Sequence, residues 1–215
     1  MSSCAFYTYY AFYQQWAAHD ANFKQSGEII MVNCFKRSCL LSAILAGPLF
    51  ITPAFADDNK MSEDLMTEKI GRAKSAAPAS ISDDATVIVD GKVVVKGSNG
   101  WTCLPDTFPG DGMPMCNDAV WMEMLDAMVN KKDFKATKIG ISYMLQGDRG
   151  AGVSNSDPYH PEPKKAKDYV ETGPHLMIIV PKEMLAGITD DPSSGGPYVM
   201  WKDTPYVHIM VPVAE

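Results

Sequence analysis

The chain has 215 residues, of which 46% are hydrophobic and 21% charged, with 19 basic against 26 acidic side chains. That composition belongs to a soluble globular protein and argues against wholesale disorder. A net charge of −7 offers no basic field to a phosphate backbone, which argues against a dedicated nucleic-acid or anionic-membrane binder.

Residues 1–30 carry Tyr7, Tyr9, Tyr10, Phe12, Tyr13 and Trp16 with no helical or strand period, and read as an upstream extension ahead of a true start at Met31. Residues 31–56 then have the order of a secretory signal peptide: Lys36-Arg37, an apolar run from Cys39 to Thr52, and Ala54-Phe55-Ala56. Gly47 and Pro48 break the apolar run, which is too short for a stable span of a ~30 Å hydrocarbon core. No cysteine stands at the cut, so no lipoprotein is indicated. Cleavage after Ala56 leaves 16 basic against 24 acidic side chains and only Cys103 and Cys116 of the five cysteines. In the periplasm or outside the cell that pair is expected as a disulfide, worth about 3 kcal/mol by chain entropy. The alternatives are a redox couple or a metal pair, and the twelve residues between the two cysteines disfavour the redox motif.

The layout expected after the export segment is an N-terminal helix and linker over 57–82 and a globular domain over 83–215. Ser62 is a candidate N-cap with acids in the first turn, and Leu65, Ile70 and Ala73 recur at helical intervals. The segment Ala76-Ala77-Pro78 reads as the linker. Residues 85–97 hold two β-branched runs around Asp90-Gly91, the pair a type I′ hairpin turn requires. Trp101-Thr102-Cys103 extends the same sheet, and Pro105–Pro114 is a loop stapled by the disulfide. A helix is predicted over 118–130, capped by Asn117 or Asp118, with Val120, Trp121, Met124, Leu125 and Met128 on one face and Lys131 and Lys132 suiting its C-terminal dipole. Further strands are predicted at Lys138–Leu145, His175–Val180, Tyr198–Trp201 and Tyr206–Val211. The connection from Gln146 to Gly173 is long enough to be functional or disordered. These elements specify an α+β fold, a mainly antiparallel sheet packed against one main helix.

An internal echo carries the sharpest chemical hypothesis. His175-Leu176-Met177 and His208-Ile209-Met210 each precede an apolar tail and a proline. On a strand, positions i and i+2 share a face, so each segment presents an imidazole beside a thioether. If the strands pair, His175, Met177, His208 and Met210 converge as a soft ligand set suited to copper. The competing reading makes the methionines core filler and the histidines structural. A second hypothesis takes Asp157 and His160 in the long loop as a carboxylate and imidazole for acid–base work, against a reading as Asx-Pro turn residues. Tyr198, Trp201 and Tyr206 would line a binding groove if they faced outward, and pack the core otherwise.

The segments Asn99–Asp106, Gly140–Gly147, Ser194–Lys202 and Pro205–Pro212 resemble an uncharacterised group of secreted bacterial proteins, a likeness covering roughly Lys69 to Val213. It implies no activity, fold or ligand. The expectation is therefore a periplasmic or secreted binding or interaction module for an unknown protein or small ligand, with no stable membrane span. The rivals are a copper-binding protein using the two His-x-Met strands and an enzyme with its site in the 146–173 loop.

Overall fold

The computed structural model describes residues 58–213, with side chains described from Ser62 onward; the upstream extension and the export segment lie outside the described residues. Helix α1 (Asp58–Lys74) and the short α2 (Ala79–Ser82) precede strands β1 (Thr86–Val89), β2 (Lys92–Val95), β3 (Thr102–Leu104) and β4 (Met115–Asn117). Helix α3 (Ala119–Val129) follows, then β5 (Gly140–Met144), β6 (Val153–Ser154), β7 (Tyr169–Val170), β8 (His175–Ile179), β9 (Tyr198–Met200) and β10 (His208–Pro212). Eight strands form one sheet in the order β2-β1-β3-β4-β5-β8-β10-β9, and β6 and β7 pair separately. Every pairing is antiparallel except β1 with β3. The class is α+β, as the element pattern requires. Among the described residues, no helix is long and apolar enough to cross a membrane.

Local chemistry accounts for the main elements. Asp90 and Gly91 both take positive φ, 48° and 73°, and close the β1–β2 hairpin. Cys103 and Cys116 face each other directly across β3 and β4 and are joined, with a Cα–Cα distance of 3.9 Å. Asp118 caps α3 through Oδ1, which accepts from the Trp121 amide at 2.8 Å. Its Oδ2 accepts from the Ile141 amide at 2.7 Å, so one carboxylate fixes both the helix start and its angle to β5. Gly140 allows that close crossing, because a Cβ there would stand 2.9 Å from a Val120 methyl and force the side chain to shift.

Several boundaries depart from the sequence expectation. Helix α1 begins at Asp58, so Ser62 is an interior helical residue and not its N-cap. Lys131 lies beyond α3, with its ammonium 5.2 Å from the centre of the Tyr159 ring. The 76–78 segment is packed, with Ala76 and Ala77 buried and the Ala76 carbonyl accepting from the Leu145 amide. The 146–173 connection is ordered by the β6–β7 pair and a 3-10 turn at Pro163–Lys165.

Side-chain alternation gives the sheet two different faces. On one, Val87, Val89, Cys103 and Cys116 pack against Ile70, Ala73, Ala76 and Ala77 of the α1 region. Lys69 pairs with Asp90 at 2.8 Å and Arg72 donates to the Pro105 carbonyl at 3.1 Å, fastening α1 at the hairpin and at the disulfide loop. On the other face, Ile88, Leu104, Met115, Met144, Met177, Ile179 and Met210 pack against Trp121, Met124, Leu125 and Met128 of α3.

Candidate functional site

The β8–β10 register sets Met177 directly opposite Met210, His175 opposite Pro212 and, one step beyond the paired residues, Ile179 alongside His208. The two His-x-Met segments are therefore neighbours, and all four side chains are buried on the α3 face. Their backbone positions are spread along the two strands. A local two-fold passes between the methionines and sends the histidines to opposite ends, roughly 13 Å apart along the strands at about 3.3 Å per residue.

The outer strands extend this symmetry. His175 lies directly across from Met144 on β5, and His208 directly across from Met200 on β9. Each imidazole thus has a methionine beside it across the sheet and another two residues along its own strand. Met144 and Met200 were not legible as partners in the sequence, since only the strand order brings them to the histidines.

Each histidine is also held in the same way. His175 Nδ1 lies 2.7 Å from the Gly173 carbonyl and His208 Nδ1 lies 2.9 Å from the Tyr206 carbonyl, in both cases the residue two positions before. A carbonyl only accepts, so Nδ1 carries the proton and a neutral ring keeps its lone pair on Nε2. Burial pushes His208 down to about 4, with the Tyr206 carbonyl opposing and His175 adding to the shift. Burial also lowers His175, against the charge of Asp148 and the Gly173 carbonyl. Both rings are neutral at pH 7. His208 Nε2 is fully buried and has no hydrogen-bond partner among the described residues.

A cavity of about 60 Å³ lies between this strip and α3. Both histidines line it, with Met144, Met177, Met200 and Met210 from the sheet, Met115 from β4, Met124 and Met128 from α3, and Met113 from the disulfide loop. Two indoles flank His208 edge to face, Trp121 at 5.2 Å and Trp201 at 5.0 Å between ring centres. Trp121 Nε1 is a second buried polar atom without a partner among the described residues. Trp201 has a left-handed backbone, φ 55°, which is strained for a bulky residue. Its amide donates to the Asn155 carbonyl at 2.8 Å and its Nε1 to the Ser154 carbonyl at 3.0 Å, so the 146–173 segment holds the indole in place.

That segment also supplies the one carboxyl lining the cavity, Asp148, whose Oδ2 accepts from the Thr172 amide at 2.6 Å. Burial raises its pKa, against that amide and the charge of His175. Asp111, in the 105–114 loop, accepts from the amides of Thr107, Phe108 and Met113 and is pushed up to about 6 by burial.

Asp157 and His160 are linked through the backbone, the His160 amide donating to the Asp157 carbonyl at 3.3 Å, and no hydrogen bond joins their side chains among the described residues. Asp157 Oδ1 accepts from the Tyr159 amide and His160 Nδ1 from the Glu162 amide, so each side chain closes its own local turn. Neither lines the cavity. Tyr198, Trp201 and Tyr206 point inward and are buried, which removes the outward-facing groove. Among the described residues, no three His, Cys, Asp or Glu side chains are grouped so as to hold a metal ion. The register places Met200 across from His208, Met210 two residues along the same strand and Met177 across from Met210. No family model, curated protein or solved structure matches the chain.

Proposed function

We propose that this is a binding protein that encloses one small ligand in the cavity between the His-x-Met strands and α3. The observation that carries this is the fully buried, unpartnered Nε2 of His208. Leaving a buried acceptor unpaired costs about 1–3 kcal/mol, and the unpaired indole N–H of Trp121 adds a similar cost in the same cavity. An occupant that engages the imidazole nitrogen offsets its share of that cost. The formed disulfide and the basic, apolar and small-residue order of 31–56 support a periplasmic or secreted setting.

Native mass spectrometry of protein purified from its own host tests this. The expected result is a mass above that of the bare chain that vanishes on denaturation, with a lower Tm once the occupant is stripped. A bare-chain mass, with a Tm unchanged by unfolding and refolding, would overturn the reading.

A further inference from the structure

Resting on that enclosed-ligand reading, we infer that the occupant is a single copper(I) ion, bound by His208 Nε2 together with thioethers of Met177, Met200 and Met210. The chemistry follows from what lines the cavity. Thioether sulfur is a soft, neutral donor that holds copper(I) well and hard divalent cations poorly, and neutral imidazole suits the same ion. Zinc and iron sites draw on thiolate, imidazole and carboxylate, and no three such groups are assembled among the described residues. The methionines are placed by register: Met200 directly across from His208, Met210 two residues along the same strand face, and Met177 directly across from Met210.

The half-site at His208 is preferred over its symmetry mate at His175 because its Nε2 is the buried atom without a partner. Its Nδ1–H is committed to the Tyr206 carbonyl, which fixes the tautomer and aims the lone pair, the usual outer support of a metal-binding histidine. The ion would enter between the 105–114 and 146–154 segments, whose Phe108 and Val153 are only half-buried.

The test is an anaerobic competition in which the folded, disulfide-bonded protein takes copper(I) from its bicinchoninate complex under ascorbate. The expected result is one ion per chain, with sulfur and nitrogen neighbours in the copper X-ray absorption spectrum. Met177→Leu, Met210→Leu and His208→Gln should each lower affinity at least tenfold, while Met184→Leu at an exposed position leaves it unchanged. Zinc(II) offered alone should not be retained. No uptake of copper(I), a spectrum with only oxygen or nitrogen neighbours, or affinity insensitive to all three variants would overturn the inference. If copper(I) is refused while protein from the host still carries another small species, copper fails and the enclosed-ligand reading stands. The spectrum of the wild-type protein decides the matter even if a variant fails to fold.

Discussion

The two faces of the central sheet solve different packing problems. Under α1 the contacts are small and featureless: alanines 73, 76, 77 and 85, two valines and the sulfur bridge, all close to fully buried. Among the described residues, no buried side-chain nitrogen or oxygen on that face lacks a hydrogen-bond partner. Under α3 the residues are large, flexible and polarizable, two imidazoles and two indoles are buried with them, and a cavity remains. A core selected only for cohesion fills its space and avoids unpaired polar atoms. The α1 side follows that rule, whereas His208 Nε2 and Trp121 Nε1 on the α3 side, and Asn155 Oδ1 in the loop that holds Trp201, have no partner among the described residues.

The contrast can be broken or sharpened by experiment. The largest effect belongs to the α1 side. Cys103→Ala with Cys116→Ala should cost about 3 kcal/mol, read as a lower denaturant midpoint, with a slope that is no smaller because the uncrosslinked unfolded chain is less compact. A loss below about 1 kcal/mol would mean that the small-residue packing holds β3 against β4 unaided.

On the α3 side the sign of the pH dependence is diagnostic. His208 titrates near 4 when folded against an ordinary 6.5, so its contribution is complete above pH 6.5 and is lost as pH falls through 4, up to about 3 kcal/mol. Asp111 runs the other way: raised to about 6 from 3.8, its contribution is complete below pH 3.8 and is lost as pH rises through 6, again by at most about 3 kcal/mol. His175 acts in the direction of His208 and Asp148 in that of Asp111. The wild-type stability should therefore vary little between pH 4 and 6. Asp111→Asn should unmask a fall toward acid and His208→Gln a rise. Parallel curves for the three proteins would show that these burials do not govern the titration.

A smaller effect, about 2 kcal/mol, is expected for Asp118→Ala, which loses the α3 cap and the tie to the Ile141 amide together. Asp118→Asn should recover part of it in urea unfolding. Smallest is Met200→Leu, a volume-conserving exchange expected to cost under about 1.5 kcal/mol while removing a cavity thioether. A larger loss of stability would make Met200 a packing residue first.

Where the sequence could be read, a local rule was at work. Asp90-Gly91 announces its turn through positive φ, Asp118 its helix through the cap, and Cys103 with Cys116 their bridge through being the last two thiols. The facing of His175 with Met177, and of His208 with Met210, follows from the two-residue period of a strand. What stayed hidden depends on contacts distant in the chain. Ala76 and Ala77 look like linker because small residues carry little hydrophobic signal, yet their size is what lets them sit in the α1-side core. Strand β4 has only three residues between Pro114 and the Asp118 cap, too few to show a period. Met200 gains its significance from lying beside His208, which requires knowing that β9 is the edge strand next to β10.

The strained backbone of Trp201 has an optical corollary. Both of its N–H groups are bonded to the 154–155 backbone while its ring rests against His208. Any displacement of that stretch must drag the chromophore across the imidazole. Emission from this indole, isolated by replacing the other tryptophans with phenylalanine, would then serve as a built-in gauge of whether the chamber is shut.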